Sequence, residues 1–163
     1  MTAADPNLVV AVARCWLGTP YHDQATLRGV GCDCLGLARG VWREVVGAES
    51  FPIPPYSRDW GETGPHEVLA EGARRMMPEI AIADAVPGTL IRFRMAPRAI
   101  AKHVGILTTT DSFIARAGCD KRMATCTAKF ANVANFRGFP KIPGQDAVLR
   151  YASRGDGNEG NVL

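Results

Sequence analysis

From Gly88 onward the chain breaks into short apolar runs separated by turn residues, whereas upstream its apolar residues recur at helical spacing. That change of period restricts the fold more than anything else in the sequence. The runs 89–94, 103–109, 112–117, 123–127 and 133–139 have strand length and predict one antiparallel sheet of about five strands. Upstream, Asp5 and Pro6 suit the N-cap and first residue of a helix whose apolar face is Val9, Val12, Ala13 and Trp16, with Gly18 as its stop. A second helix is expected at 34–46, where Leu37, Val41 and Val45 recur every fourth residue before Gly47. Pro65 can open a third, with Leu69, Ala73 and Met76 on one side and Pro78 at its end. Between these two helices, three Pro within 51–55 exclude regular helix or central strand and make a long loop carrying Tyr56 and Trp60. Helices first and strands second is the pattern of an α+β domain with its helices packed on one sheet.

At 163 residues, 47% apolar and 21% charged, the chain suits one domain, expected over 1–152, followed by a polar tail at 153–163. A domain of this length hides roughly 70% of its unfolded surface and needs no disulfide or metal to fold. Its three His and five Cys are therefore available for chemistry. The net charge of +3 is spread along the chain, which does not imply nucleic acid. No run approaches the roughly 18 apolar residues of a spanning helix, so no membrane insertion is expected. The opening MTAADPNLVV lacks the basic start and apolar stretch of a signal peptide, so synthesis as a soluble cytoplasmic protein is expected. Five unevenly spaced Cys fit a reduced protein; Cys119 and Cys126 are placed to face each other across a hairpin, and Cys15 is most simply core. Cys32-x-Cys34 and Cys119-x6-Cys126 lack the two-residue gaps of common zinc modules, and neither metal nor cofactor is expected.

Cys34 has the address of a reactive thiol. It opens the second helix, where unpaired N–H groups favour a thiolate, with Asp33 as N-cap and Gly29, Gly31 and Gly36 leaving room beside it. The plainer alternative is a small buried hydrophobe. A thiol pathway also needs a proton carrier, and His103, at the head of a strand, ranks before His22 in the turn ahead of Cys34 and before His66 on the third helix.

Gly18-Thr-Pro-Tyr21, Gly31-Cys-Asp-Cys34-Leu-Gly-Leu37, Pro87-Gly-Thr-Leu90, His103-Val-Gly-Ile-Leu107 and Phe113-Ile114 together resemble, in order and spacing, the NlpC-type cell-wall cysteine peptidases. The resemblance covers about 8–140 and implies a papain-like α+β fold. With Leu35 after the cysteine, Cys32 before Asp33 and the Pro-rich loop, it is strongest to the peptidases of phage-tail clusters, including gene transfer agents. It implies Cys34 as nucleophile, His103 as general base, Tyr21 beside the thiol to help hold an oxyanion, and Asp33 as receiver of a free amino end. The implied substrate is an amide in peptidoglycan stem peptides, often the bond between γ-D-glutamyl and diaminopimelate, and the implied partners are phage-like tail-tip or baseplate proteins. Tyr21 also suits packing and Asp33 capping. Tyr56 and Trp60 suit either a cleft wall or a docking patch.

The sequence departs from that pattern at one place. The family's third polar residue, which hydrogen-bonds the base, falls on Ala115, and a shift by one would offer only Arg116, a donor unsuited to an imidazolium. Asp111, Asp120 or a backbone carbonyl would have to substitute. The same departure admits a tail-tip component that keeps the fold with weak chemistry or none; a thiol acyltransferase is a third class.

Overall fold

The computed structural model describes residues 4–50, 52–57, 66–94, 100–116 and 121–127, and the backbone of 133–136. Helix α1 (Pro6–Arg14) begins where Asp5 Oδ1 accepts from the Asn7 N–H at 2.9 Å, with Pro6 in the position that needs no donor. Val9, Val12, Ala13 and Trp16 are all buried, as their spacing requires. Cys15 is exposed at the helix C-cap rather than in the core, because one residue along a helix turns a side chain about 100° from its neighbour.

The turn-rich stretch that follows contains a small hairpin, strands β1 (Thr26–Leu27) and β2 (Gly31–Cys32), with Tyr21 bridging Cys32 in parallel. Helix α2 (Cys34–Val45) begins straight after it, and α3 (Val68–Met76) follows the Pro-rich loop. Then come β3 (Glu79–Ile80), a single 3-10 turn at Ile82–Asp84, β4 (Leu90–Phe93), β5 (His103–Leu107), β6 (Ser112–Arg116), β7 (Met123–Thr127) and β8 (Val133–Phe136).

The main sheet has six strands in the order β3-β8-β4-β5-β6-β7, each neighbouring pair antiparallel. The five expected strands are present, and the count is corrected upward by β3. A two-residue strand is too short to show a period, and its register is set by Phe136 and Asn135, far along the chain.

Helices α1 and α2 cover the sheet at β5. Trp16, Leu37 and Val41 form one buried cluster with Val104, Ile106, Ile114 and Met123, and full burial of such side chains contributes roughly 1.5–3 kcal/mol each. The helices touch at Gly40, where any Cβ would overlap the Trp16 ring, and Trp16 Nε1 donates to Glu44 Oε1 at 3.1 Å. This packing sets the first turn of α2 against the head of β5.

Helix α3 is tied to the sheet by charge. Buried Arg92 of β4 donates to Glu67 Oε2 at 2.8 Å and to Glu79 Oε1 at 3.4 Å, and Glu67 also accepts from the Ala101 N–H at 3.2 Å. Pro65, Trp60, Cys119, Asp120 and the tail 153–163 lie outside the described residues. Among the described residues no helix is long and apolar enough to cross a membrane.

Candidate active site

Asp33 fixes the head of α2. Its backbone is extended, its Oδ1 accepts from the Gly36 N–H at 2.6 Å, and its Oδ2 accepts from the Gln24 N–H at 2.9 Å and the Tyr56 hydroxyl at 2.6 Å. The capping expectation is met. Three donors occupy most of what a carboxylate accepts, and little of this buried side chain remains for an incoming amine. The Tyr56 contact pins the Pro-rich loop beside Cys34, and burial together with the Asp33 bond pushes the Tyr56 hydroxyl well above its usual range, so it stays a donor.

Cys34 is half-buried, and its sulfur lies against the head of β5, 4.0 Å from the Lys102 carbonyl oxygen and facing the Val104 N–H. These two residues flank His103. Cys34, His103, Tyr21, Asp33 and Tyr56 all border one cavity of about 250 Å³, together with Asp23, Leu35, Ser57, Lys102 and Arg116. Five of the six expected site residues thus meet at one opening; the sixth, Trp60, lies outside the described residues. A larger, more apolar cavity of about 490 Å³ adjoins it through Leu35, Tyr56 and Ser57, but neither Cys34 nor His103 borders that space.

Burial works against the ionisation expected from the helix address of this sulfur. Burial pushes the Cys34 thiol up to about 11; the Val104 N–H opposes this, the Asp33 charge adds to it, and the N–H groups of Leu35 and Cys34 pull the other way. The helix start acts as expected but is outweighed by desolvation and by its own capping carboxylate. Cys32 is fully buried and pushed up to about 12 by burial, then by Asp33 and Cys34, which leaves it inert.

His103 is held below the ordinary imidazole range, first by burial, then by the charges of Lys102 and Arg116. It is a neutral base at pH 7. Its ring stacks on Phe93, its register partner on β4, with centroids 5.7 Å apart, and Phe113 meets Phe93 edge-on at 5.5 Å. Ala115 is buried beside Gly105 and offers only a methyl group. Asp111 cannot substitute for an orienting residue: it sits in the turn at the far end of β5, accepting from Thr109 Oγ1 at 2.7 Å and Ser112 Oγ at 3.0 Å. Aromatic stacking by Phe93 holds the ring among the described residues, a role no local pattern announces.

The other histidines stand apart. His22 is exposed and packs on Gly31, and the His66 side chain is 76% exposed, 3.9 Å from Glu71. Tyr21 donates its hydroxyl to Asp23 and carries the Arg116 guanidinium over its ring, 4.3 Å from the centroid. Cys126 is a free thiol. Among the described residues no three His, Cys, Asp or Glu side chains converge as metal ligands.

Because the Asp33 charge raises the Cys34 thiol, Asp33→Asn should make the sulfur more acidic while keeping an oxygen for the cap. Iodoacetamide labelling of Cys34, followed by peptide mass mapping, should be half-maximal near pH 11 in the wild type and at lower pH in the variant. Half-labelling at or below about pH 8 in the wild type would show that the helix start prevails over burial.

Residues 79–146 match the family described as Phage conserved hypothetical protein BR0599. No curated protein sequence matches the chain. Among solved structures, the chain is similar to the NlpC/p60 domain of peptidoglycan hydrolase SagA, with a TM-score of 0.56 and 22% identity over 82% of this chain and 98% of that one. It is similar to an NlpC/p60 family protein from Bacillus cereus ATCC 10987, with a TM-score of 0.60 and 18% identity, covering 85% of this chain and 41% of that one. It is also similar to the peptidoglycan hydrolase RipB from Mycobacterium tuberculosis, with a TM-score of 0.57 and 18% identity, covering 82% of this chain and 64% of that one. The fold is that of an NlpC/p60, papain-like α+β domain.

Proposed function

We propose that the protein is a cysteine peptidase that hydrolyses amide bonds in peptidoglycan stem peptides, with Cys34 as nucleophile and His103 as base. The observation that carries this is the shared cavity: a thiol at the head of α2 and a neutral imidazole at the head of β5 border one opening on an NlpC/p60 fold. Neutral His103 takes the Cys34 proton as sulfur bonds to the amide carbonyl carbon. The imidazolium then gives that proton to the departing amine as the C–N bond breaks. Water, deprotonated by the same ring, cleaves the thioester and restores the thiol. The Val104 N–H facing the sulfur stabilises charge developing there, and Tyr21 borders the space in which the oxyanion would form.

The match of 79–146 to a phage family and the sequence pattern support a place in a phage-like tail or gene transfer agent, acting on the cell wall beside tail-tip or baseplate proteins. The methyl of Ala115, where a polar orienting residue would stand, favours a second possibility, a structural tail component with the same fold and little activity.

Incubating the purified, reduced protein with peptidoglycan and analysing the soluble products by mass spectrometry separates the two. Released stem-peptide fragments that disappear with Cys34→Ala support the peptidase. No fragments from the wild type would overturn it in favour of the structural component.

A further inference from the structure

Arg116 ends β6 on the wall of the cavity that holds Cys34 and His103. Six other arginines among the described residues are matched with acid: Arg28 meets Glu44, Arg39 and Arg43 meet Glu49, Arg74 meets Glu79, and Arg92 and Arg94 meet Glu67, while Arg14, Arg75 and Arg122 are exposed to solvent. Among the described residues Arg116 has no such carboxylate, and its buried Nε lacks a hydrogen-bond partner. The guanidinium carbon lies 4.3 Å from the centroid of the Tyr21 ring, over its face, and Tyr21 is itself held by its hydroxyl on Asp23 and by its N–H on the Lys121 carbonyl oxygen at 2.6 Å. The cation is therefore held in place over the ring before any ligand arrives.

A part-buried cation without a counter-ion is costly, and this one lies beside the base of the proposed reaction. An anionic group on the substrate would offset that cost. A guanidinium offers a planar fork that takes a carboxylate through two parallel hydrogen bonds, and stacking on an aromatic ring pre-organises it.

We infer that Arg116 is the carboxylate-binding residue of the substrate cleft, selecting amides that carry a free carboxylate close to the scissile bond. The inference rests on the peptidase proposal and narrows its substrate class. In a stem peptide the γ-linked glutamyl residue keeps its α-carboxylate free, and diaminopimelate keeps the carboxylate at the far end of its side chain, whereas an amidated stem peptide has lost one of the two. The residue that cannot orient His103 as an acceptor thus serves as a donor to the substrate.

The test uses the full chain carrying Cys34→Ala and three synthetic stem peptides: one with both carboxylates free, and one amidated at each in turn. Binding is measured by calorimetry. One amidation should weaken binding about ten- to a hundredfold, the range of charge-assisted hydrogen bonds. Adding Arg116→Gln should erase that difference, and Arg116→Lys, which keeps charge but not the fork, should restore only part of it. Equal binding of all three peptides, discrimination that survives Arg116→Gln, or no binding at all would overturn the assignment. Turnover by the wild type is read separately. Cleavage of all three at equal rates keeps the peptidase and removes the subsite. Discrimination in binding without cleavage keeps the subsite and removes the peptidase.

Discussion

Replacing His103 by Ala should lower cleavage of a stem peptide about ten-thousandfold at pH 7. A thiol with a pKa pushed up to about 11 is ionised in only about one molecule in 10⁴ at that pH, so without a base the nucleophile is nearly absent. The residual rate of the variant should rise about tenfold for each pH unit toward 11 as thiolate forms directly. The wild type should behave differently. Its base works when neutral, and burial, Lys102 and Arg116 hold its pKa below 6.5, so kcat/KM should stay level through neutrality and fall only once pH drops beneath that value. Rate profiles of both proteins between pH 5 and about 10 check this. A variant within tenfold of the wild type at pH 7, or a variant rate indifferent to pH, would show that Cys34 ionises without His103.

The largest effect on folding is expected at Gly36. A Cβ there would overlap the Ala25 carbonyl oxygen, a backbone atom with no rotamer to change, and would lie 3.1 Å from Asp33 Oδ1. Gly36 is where the hairpin and α2 cross: its N–H reaches the Asp33 cap and its carbonyl accepts from Thr26 Oγ1 at 2.8 Å. Gly36→Ala must push the β1–β2 hairpin off the helix and disturb the cap together, at a cost of about 3 kcal/mol or more. For a domain of this size that lowers Tm by about 10 °C in a thermal melt. Gly72→Ala in α3 is the control. Nothing lies within 4 Å of the added carbon, and Ala favours helix over Gly, so Tm should hold or rise slightly. Equal melting temperatures for the two variants would show that the hairpin yields freely.

The parts of this fold that were readable in the sequence are those written locally. Asp5 and Asp33 announce themselves as caps because a short acceptor ahead of an apolar period has few other uses, and both accept from the N–H groups of the turn that follows. The period of Leu37, Val41 and Val45 and the runs 103–109, 112–117 and 123–127 needed no partner to be recognised, and they contain α2, β5, β6 and β7 to within a residue or two. The hairpin at 26–32 and the strand at 79–80 are two-residue pairings, made by what lies opposite rather than by any pattern along the chain. The site divides in the same way. Cys34 and His103 were found by residue type and address, and one cavity joins them. The stack of Phe93 on His103, the placement of Arg116 over Tyr21 and the sharing of Asp33 among three donors depend on cross-strand register and loop closure. The helix start that favours an ionised sulfur is visible in the sequence, whereas the burial that opposes it is not.

The wall formed by α3 hangs on Arg92 through Glu67 and Glu79 as well as on a short apolar seam, where Leu69 and Ala70 join the core and Ala73 and Met76 pack against it. Glu79 is held below the usual carboxylate range, first by Arg74, with Arg92 adding to it. This contribution to stability is complete above the ordinary carboxylate pKa and fades as acid protonates the folded form. Protons rather than heat are thus the natural solvent for this joint: in strong acid the roof over the apolar chamber comes unlatched while the lining supplied by Leu35, Ala38, Leu90 and Val104 keeps its seat.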